Sequence, residues 1–156
     1  MMFAGCRAAP AHRDTHDADV RTIKEGEMLW VRHWSTRDVD QILSHYAEDA
    51  IWMGPHLPFA NGREAIREVV QRLVEDGNFS ITFEPARVDT AKSGELGFSQ
   101  GRYTMTLTDP FTKRAVTDQG SYARIYRREP GGGWRTIQEI NTSSPTDVRT
   151  PSEPRP

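Results

Sequence analysis

Apolar residues recur at helical steps near the start of the chain and at alternate positions in its second half. Val20, Ile23, Trp30 and Trp34 fall at three-, seven- and four-residue steps, which is one face of a helix, and Glu27 lies on that face. Asp38 predicts the start of a second, short helix, with Gln41 as its capping-box partner and Ile42, Leu43 and Tyr46 on its apolar side. Ala50-Ile51-Trp52-Met53 reads as a short strand stopped by Gly54-Pro55. Asn61 and Glu64 form a second capping box. They open a third helix whose buried stripe is Ile66, Val69, Val70 and Leu73, with Gly77 as its stop.

Beyond that stop the period becomes two. Phe79, Ile81 and Phe83 alternate with Ser80, Thr82 and Glu84, as a half-buried strand requires. Three further strands are expected over residues 96–108, 116–127 and 134–142. Lys92-Ser93-Gly94, Asp109-Pro110 and Pro130-Gly131-Gly132-Gly133 supply the turns between them. Strands of this length joined by tight turns make an antiparallel meander, and the preceding helices must cover one of its faces. The expected fold class is α+β, a curved antiparallel sheet packed against three N-terminal helices. Residues 17–145 make up the expected domain. Residues 1–16 and 146–156 lack periodicity and read as disordered tails.

Composition narrows the chemistry. The 156 residues carry 20 Lys and Arg against 22 Asp and Glu, a formal charge of −2, which argues against a nucleic-acid footprint. No apolar run approaches the roughly 18 residues that span a bilayer. A single cysteine, Cys6, excludes an internal disulfide, a cysteine zinc site and an iron–sulfur cluster. His12 and His16 lie in the tail, and His33 and His45 are expected on different helices, so no paired metal ligands are predicted. No phosphate-cradling, dinucleotide or nucleophile-elbow motif occurs, and no cofactor is expected. Phe3-Ala4-Gly5-Cys6 is similar to the end of a bacterial lipoprotein signal. The chain as written reads as cytoplasmic; with a truncated start it reads as exported and lipid-anchored at Cys6.

Several segments carry a family resemblance in the expected order. Ser44-His45-Tyr46-Ala47-Glu48-Asp49-Ala50 and Asn61-Gly62-Arg63-Glu64-Ala65-Ile66 resemble signatures of the nuclear transport factor 2-like superfamily. Residues 93–103, Asp118-Gln119-Gly120-Ser121-Tyr122 and the late Gly-Gly-Trp134 are similar to its SnoaL-like and ketosteroid-isomerase-like branch. The resemblance implies a cone-shaped fold. A pocket is enclosed by the first helix and the inner face of the sheet, and a homodimer forms through the outer face. Aligned on these segments, the positions that carry steroid isomerisation fall on Trp30, Gly54 and Ser121. All three differ from the family's residues, so that reaction by its known route is not expected. The implied ligand is a small hydrophobic or enolisable molecule.

Candidate site residues follow from strand parity. With Ile137 inward, alternation places Glu139 and Asn141 on the pocket side. Polyketide cyclases of this fold place an acidic base on the inner wall, which makes Glu139 the candidate general base. The competing reading is a rim glutamate paired with an arginine such as Arg102 or Arg124. The same alignment turns Gln100, Arg102 and Ser121 inward as donors for an oxyanion; Tyr103, Met105 and Leu107 on the opposite side look equally like core, and a one-residue register slip exchanges the two sets. Trp30, Trp34, Tyr46, Trp52 and Phe59 form either a cage for a flat ligand or plain core. His56 is expected at the pocket mouth, as an acid/base or as an exposed loop residue. Two functions follow: a cofactor-independent isomerase, cyclase or lyase, or a noncatalytic ligand-binding or dimeric association domain.

Overall fold

The computed structural model describes residues 15–55 and 57–144. His56 and Cys6 therefore lie outside the described residues, as do both expected tails apart from Thr15 and His16. Helix α1 (His16–Thr36) and the short α2 (Val39–Leu43) lead into strand β1 (Tyr46–Met53). After β2 (Ala60–Asn61) comes α3 (Arg63–Glu75), and the chain finishes as β3 (Ser80–Thr90), β4 (Leu96–Thr108), β5 (Ala115–Arg128) and β6 (Trp134–Ser143). The six strands form one curved sheet in the order β2-β1-β6-β5-β4-β3, with the helices packed on one face. The expected α+β class holds. One pairing departs from it: β1 runs parallel to β6, because the chain passes through β2 and α3 before the meander begins.

Local chemistry explains the boundaries. The Asp38 carboxylate caps α2 by accepting from the Gln41 backbone N–H at 3.1 Å, as expected. Asn61 does not cap α3. It pairs with Ile51 inside the sheet, and Gly62, at φ +90°, turns the chain into the helix. That helix ends at Glu75 rather than at a left-handed Gly77. The Asp76 carboxylate then ties the turn to β4 through the Thr108 N–H and hydroxyl, both at 2.6 Å. Tyr46 opens β1 instead of closing α2. Arg37, left-handed at φ 57°, ends α1 and donates to the carbonyls of Val74, Asp76 and Phe79, anchoring α1 against the α3–β3 turn.

Ile66, Val69, Val70 and Leu73 of α3 are buried, as their spacing predicts, and join Trp34, Ile42, Trp52, Phe79 and Ile81 in the main core. Close strand packing also accounts for two glycines. A Cβ at Gly101 would lie 2.1 Å from the Glu84 carbonyl oxygen, and one at Gly120 would lie 2.0 Å from that of Thr142.

Candidate functional site

Strand register lines up one row of side chains across the inner face. Val88 of β3 pairs with Ser99 of β4, Ser99 with Arg124 of β5, Arg124 with Glu139 of β6, and Glu139 with Trp52 of β1. Helix α1 crosses this row and sets Glu27 upon it, three residues before Trp30. Three ionisable groups thus meet in the interior. Arg124 donates through Nη1 to Glu27 Oε1 at 3.2 Å and through Nη2 to Glu139 Oε1 at 3.1 Å. Arg124 and Glu139 are 1% exposed and Glu27 is 2% exposed.

Hydroxyl groups complete the network. Tyr46 Oη donates to Glu139 Oε2 at 2.6 Å. Glu27 accepts from Tyr126 at 2.7 Å, from Tyr122 at 3.1 Å and from the Ser99 hydroxyl. Asn141, with its amide nitrogen turned toward the site, donates to Glu139 Oε1 at 3.2 Å. The Arg124 guanidinium lies 4.1 Å from the ring centre of Phe83, 4.3 Å from that of Trp30 and 4.4 Å from that of Tyr122, which adds cation–π attraction on both carboxylate flanks. Burial alone would lower the Arg124 pKa, but the Glu139, Tyr126 and Glu27 groups outweigh it and hold the guanidinium charged. Burial, reinforced by neighbouring carboxylates, pushes the phenols of Tyr46, Tyr122 and Tyr126 up, so they serve as neutral donors.

A second arrangement backs the first. His45 stacks on Trp30 with ring centres 4.8 Å apart, and its Nε2 lies 3.0 Å from His33 Nδ1. Burial, then the charges of His33, Arg124 and Arg135, lower the His45 pKa to about 3. The two histidines were expected on different helices, with no paired metal ligand at short spacing. They meet because the chain leaves α2 before His45 and folds β1 back beneath α1. Among the described residues no group of three or more His, Cys, Asp and Glu side chains is arranged to hold a metal ion.

A cleft of about 240 Å³ opens between α1 and β3 and is lined by Glu27, Met28, Val31, Phe83 and Pro85. Two larger ones, about 410 Å³ each, lie over the outer face around Gln100, Arg102, Ser121 and Thr142. A fourth, about 420 Å³, sits among charged residues that include Asp49, Arg63 and Arg127. Size and chemistry disagree here. Of the buried network, one of the two outer clefts touches Tyr122 and the charged one touches Tyr46, whereas the smallest has the carboxylate-bearing Glu27 in its wall. Glu139 lines none of the four.

The candidates from sequence therefore separate. Glu139 and Asn141 are on the inner face and buried. Glu139 is paired with Arg124, yet deep in the interior rather than at a rim. Trp30, Trp34, Tyr46 and Trp52 are buried and pack against one another within the main core. Gln100, Arg102 and Ser121 are corrected: all three are exposed on the outer face. The parity of β4 and β5 is opposite to the expected one, and Tyr103, Tyr122 and Arg124 take the inner positions. Phe59 is also corrected, being 63% exposed on the segment before β2 and outside the aromatic cluster. Glu27 was visible on the apolar face of α1, and its company of Ile23, Trp30 and Trp34 was the available signal for a buried carboxylate.

Known proteins match this architecture. A ketosteroid isomerase-like protein from Erwinia carotovora superposes with a TM-score of 0.70 at 21% identity, covering 81% of this chain and 98% of that one. A Xanthomonas campestris protein described as a calcium/calmodulin dependent protein kinase II association domain gives 0.65 at 19% identity, over 94% and 99%. A nuclear transport factor 2-like protein of unknown function from Pseudomonas putida gives 0.68 at 22%, over 85% and 91%. Identities this low speak to the fold. No curated protein matches the sequence. The family model for the SnoaL-like domain matches residues 29–136, from the middle of α1 into β6, and the chain belongs to that family.

Proposed function

We propose that the chain is a small-molecule pocket protein whose ligand enters between α1 and β3 and meets Glu27. One observation carries this reading: Glu27, Arg124 and Glu139 sit side by side in the interior, and one of them lines a cleft. A buried carboxylate–guanidinium–carboxylate array is an expensive way to hold a fold together, since well-packed apolar side chains do as well or better. Buried ionisable groups beside a cleft instead mark sites of binding or proton transfer. Glu139 lines none of the four clefts and is held by Tyr46 and Arg124, so it acts as a positioning residue that fixes Arg124 and through it Glu27. A cofactor-independent isomerase, cyclase or lyase needs a carboxylate within reach of a carbon acid. Glu27 meets that need from the cleft, while Glu139 serves it at one remove. Native mass spectrometry of gently purified protein tests the reading. A retained small molecule that is lost in Glu27→Gln supports it; wild-type protein at its bare mass that also binds nothing from a metabolite library contradicts it.

A second reading, a homodimeric association domain, draws on the outer face. Phe98, Ala123, Ile125 and Ile140 lie together there, with Ile125 39% and Ile140 37% exposed. The association-domain neighbour of the same fold points the same way. Light scattering separates the cases: Ile140→Lys converts a dimer to a monomer if this face is the interface, and leaves the mass unchanged if it is not.

A further inference from the structure

Resting on the reading that a ligand meets Glu27 in the α1–β3 cleft, we infer that this ligand is an organic cation: an ammonium group on an apolar body. Three observations converge. First, the formal charges of Glu27, Arg124 and Glu139 sum to −1, all in positions no more than 2% exposed. The other groups that touch the carboxylates are neutral hydroxyls and an amide. An uncompensated unit charge in the interior is costly, and one additional cation removes the imbalance.

Second, the acceptor capacity of Glu27 is unequally used. Among the described residues, Oε1 takes Ser99, Tyr126 and Arg124, whereas Oε2 takes Tyr122 alone at 3.1 Å. A carboxylate offers about four lone-pair directions, so Oε2 keeps acceptor capacity for another donor. An N–H donor that carries charge makes the strongest such bond.

Third, the rest of the cleft is apolar: Met28, Val31, Phe83 and Pro85. These side chains accept a hydrocarbon body and the thioether and ring tolerate a nearby cation, but none neutralises an anion. A carboxylate ligand would confront Glu27 directly.

Titration calorimetry of the wild-type protein with benzylammonium, benzyl alcohol and benzoate tests this, because the three probes share one body and differ in charge. The expected order is benzylammonium tighter than benzyl alcohol by about tenfold or more, with benzoate weakest. Glu27→Gln is expected to erase the ammonium preference, bringing the ratio of benzylammonium to benzyl alcohol affinity to about one. Equal binding of ammonium and alcohol, or a preference for benzoate, overturns the cationic assignment while the pocket reading stands. If none of the three binds and native mass spectrometry finds a retained neutral or anionic molecule, the cationic assignment falls alone. If none binds and nothing is retained, both fall. The comparison among probes uses wild-type protein and so stands whether or not the variant folds.

Discussion

Arg124 of β5 and Glu27 of α1, 97 residues apart in sequence, meet at 3.2 Å in the interior and join the first helix to the centre of the meander. The same guanidinium holds Glu139, so its loss strands two carboxylates at once. Arg124→Met is expected to lower unfolding free energy by about 3–5 kcal/mol, the usual effect of breaking a buried ion pair from one side. Replacing all three ionic residues together with apolar ones of similar volume should restore much of that loss. Urea unfolding measures both, and a loss below about 1 kcal/mol for Arg124→Met would show that the charges are hydrated in solution.

Tyr46 gives a finer probe of the same network. Its hydroxyl is fully buried against Glu139 at 2.6 Å, and Tyr46→Phe removes that donor while keeping the ring. The expected cost is about 1.5–3 kcal/mol, the range for hydrogen bonds to a charged group. Unchanged stability in the same unfolding experiment would mean that Arg124 and Asn141 satisfy Glu139 without it.

How much of this arrangement could be read before folding depends on the element. Helical stripes such as Ile66-Val69-Val70-Leu73 need only local spacing, and the Asp38 cap needs only three residues. Strand parity is different. For β4 both candidate faces were plausible, because Tyr103 and Met105 on one side compete with Gln100 and Arg102 on the other, and only the sheet's curvature around α1 decides between them. Glu139 and Asn141 were placed inward from Ile137. The β5–β6 pairing skips at that point, from Ile125 opposite Gln138 to Tyr126 opposite Thr136, so Ile137 is displaced and Thr136 takes a buried position, while Glu139 and Asn141 are inward as expected. The Arg124 partnership was one of two weighed for Glu139. The contribution of Glu27 requires contacts 72 to 99 residues away, with Ser99, Tyr122, Arg124 and Tyr126, which no local pattern encodes.

His45 should remain neutral throughout the physiological range. Its folded pKa of about 3 lies below the ordinary 6.5, so the unfolded chain binds the extra proton between those values. The contribution to stability is therefore full above about pH 6.5 and shrinks as pH falls toward about 3. Nuclear magnetic resonance titration should show flat His45 ring shifts from about pH 5 to about pH 8. An inflection near 6.5 would mean that the stack on Trp30 opens freely.

His16 behaves in the opposite sense. Its Nε2 lies 2.8 Å from an Asp89 carboxylate oxygen, linking the first turn of α1 to β3. Asp89, with Asp17, raises the His16 pKa above 6.5, and hydrogen bonds from His16 and then Arg87 bring Asp89 to about 2. The His16 contribution is full below 6.5 and lost as pH rises through the raised value; the Asp89 contribution is full above 3.8 and lost as pH falls through about 2. Both groups reach solvent, so the effect is small and weakened by salt. In Asp89→Asn the His16 titration should move back toward 6.5, and an unmoved midpoint would assign the shift to other neighbours.

The location of the binding site is the point on which the functional account turns. Methyl-labelled protein titrated with benzylammonium reports it directly, because Met28 and Val31 line the α1–β3 cleft and Ile140 lines a cleft on the outer face. Saturable shifts of the Met28 and Val31 methyl signals, with Ile140 unmoved, are expected. Shifts at Ile140 with Met28 and Val31 silent would contradict a site in the α1–β3 cleft.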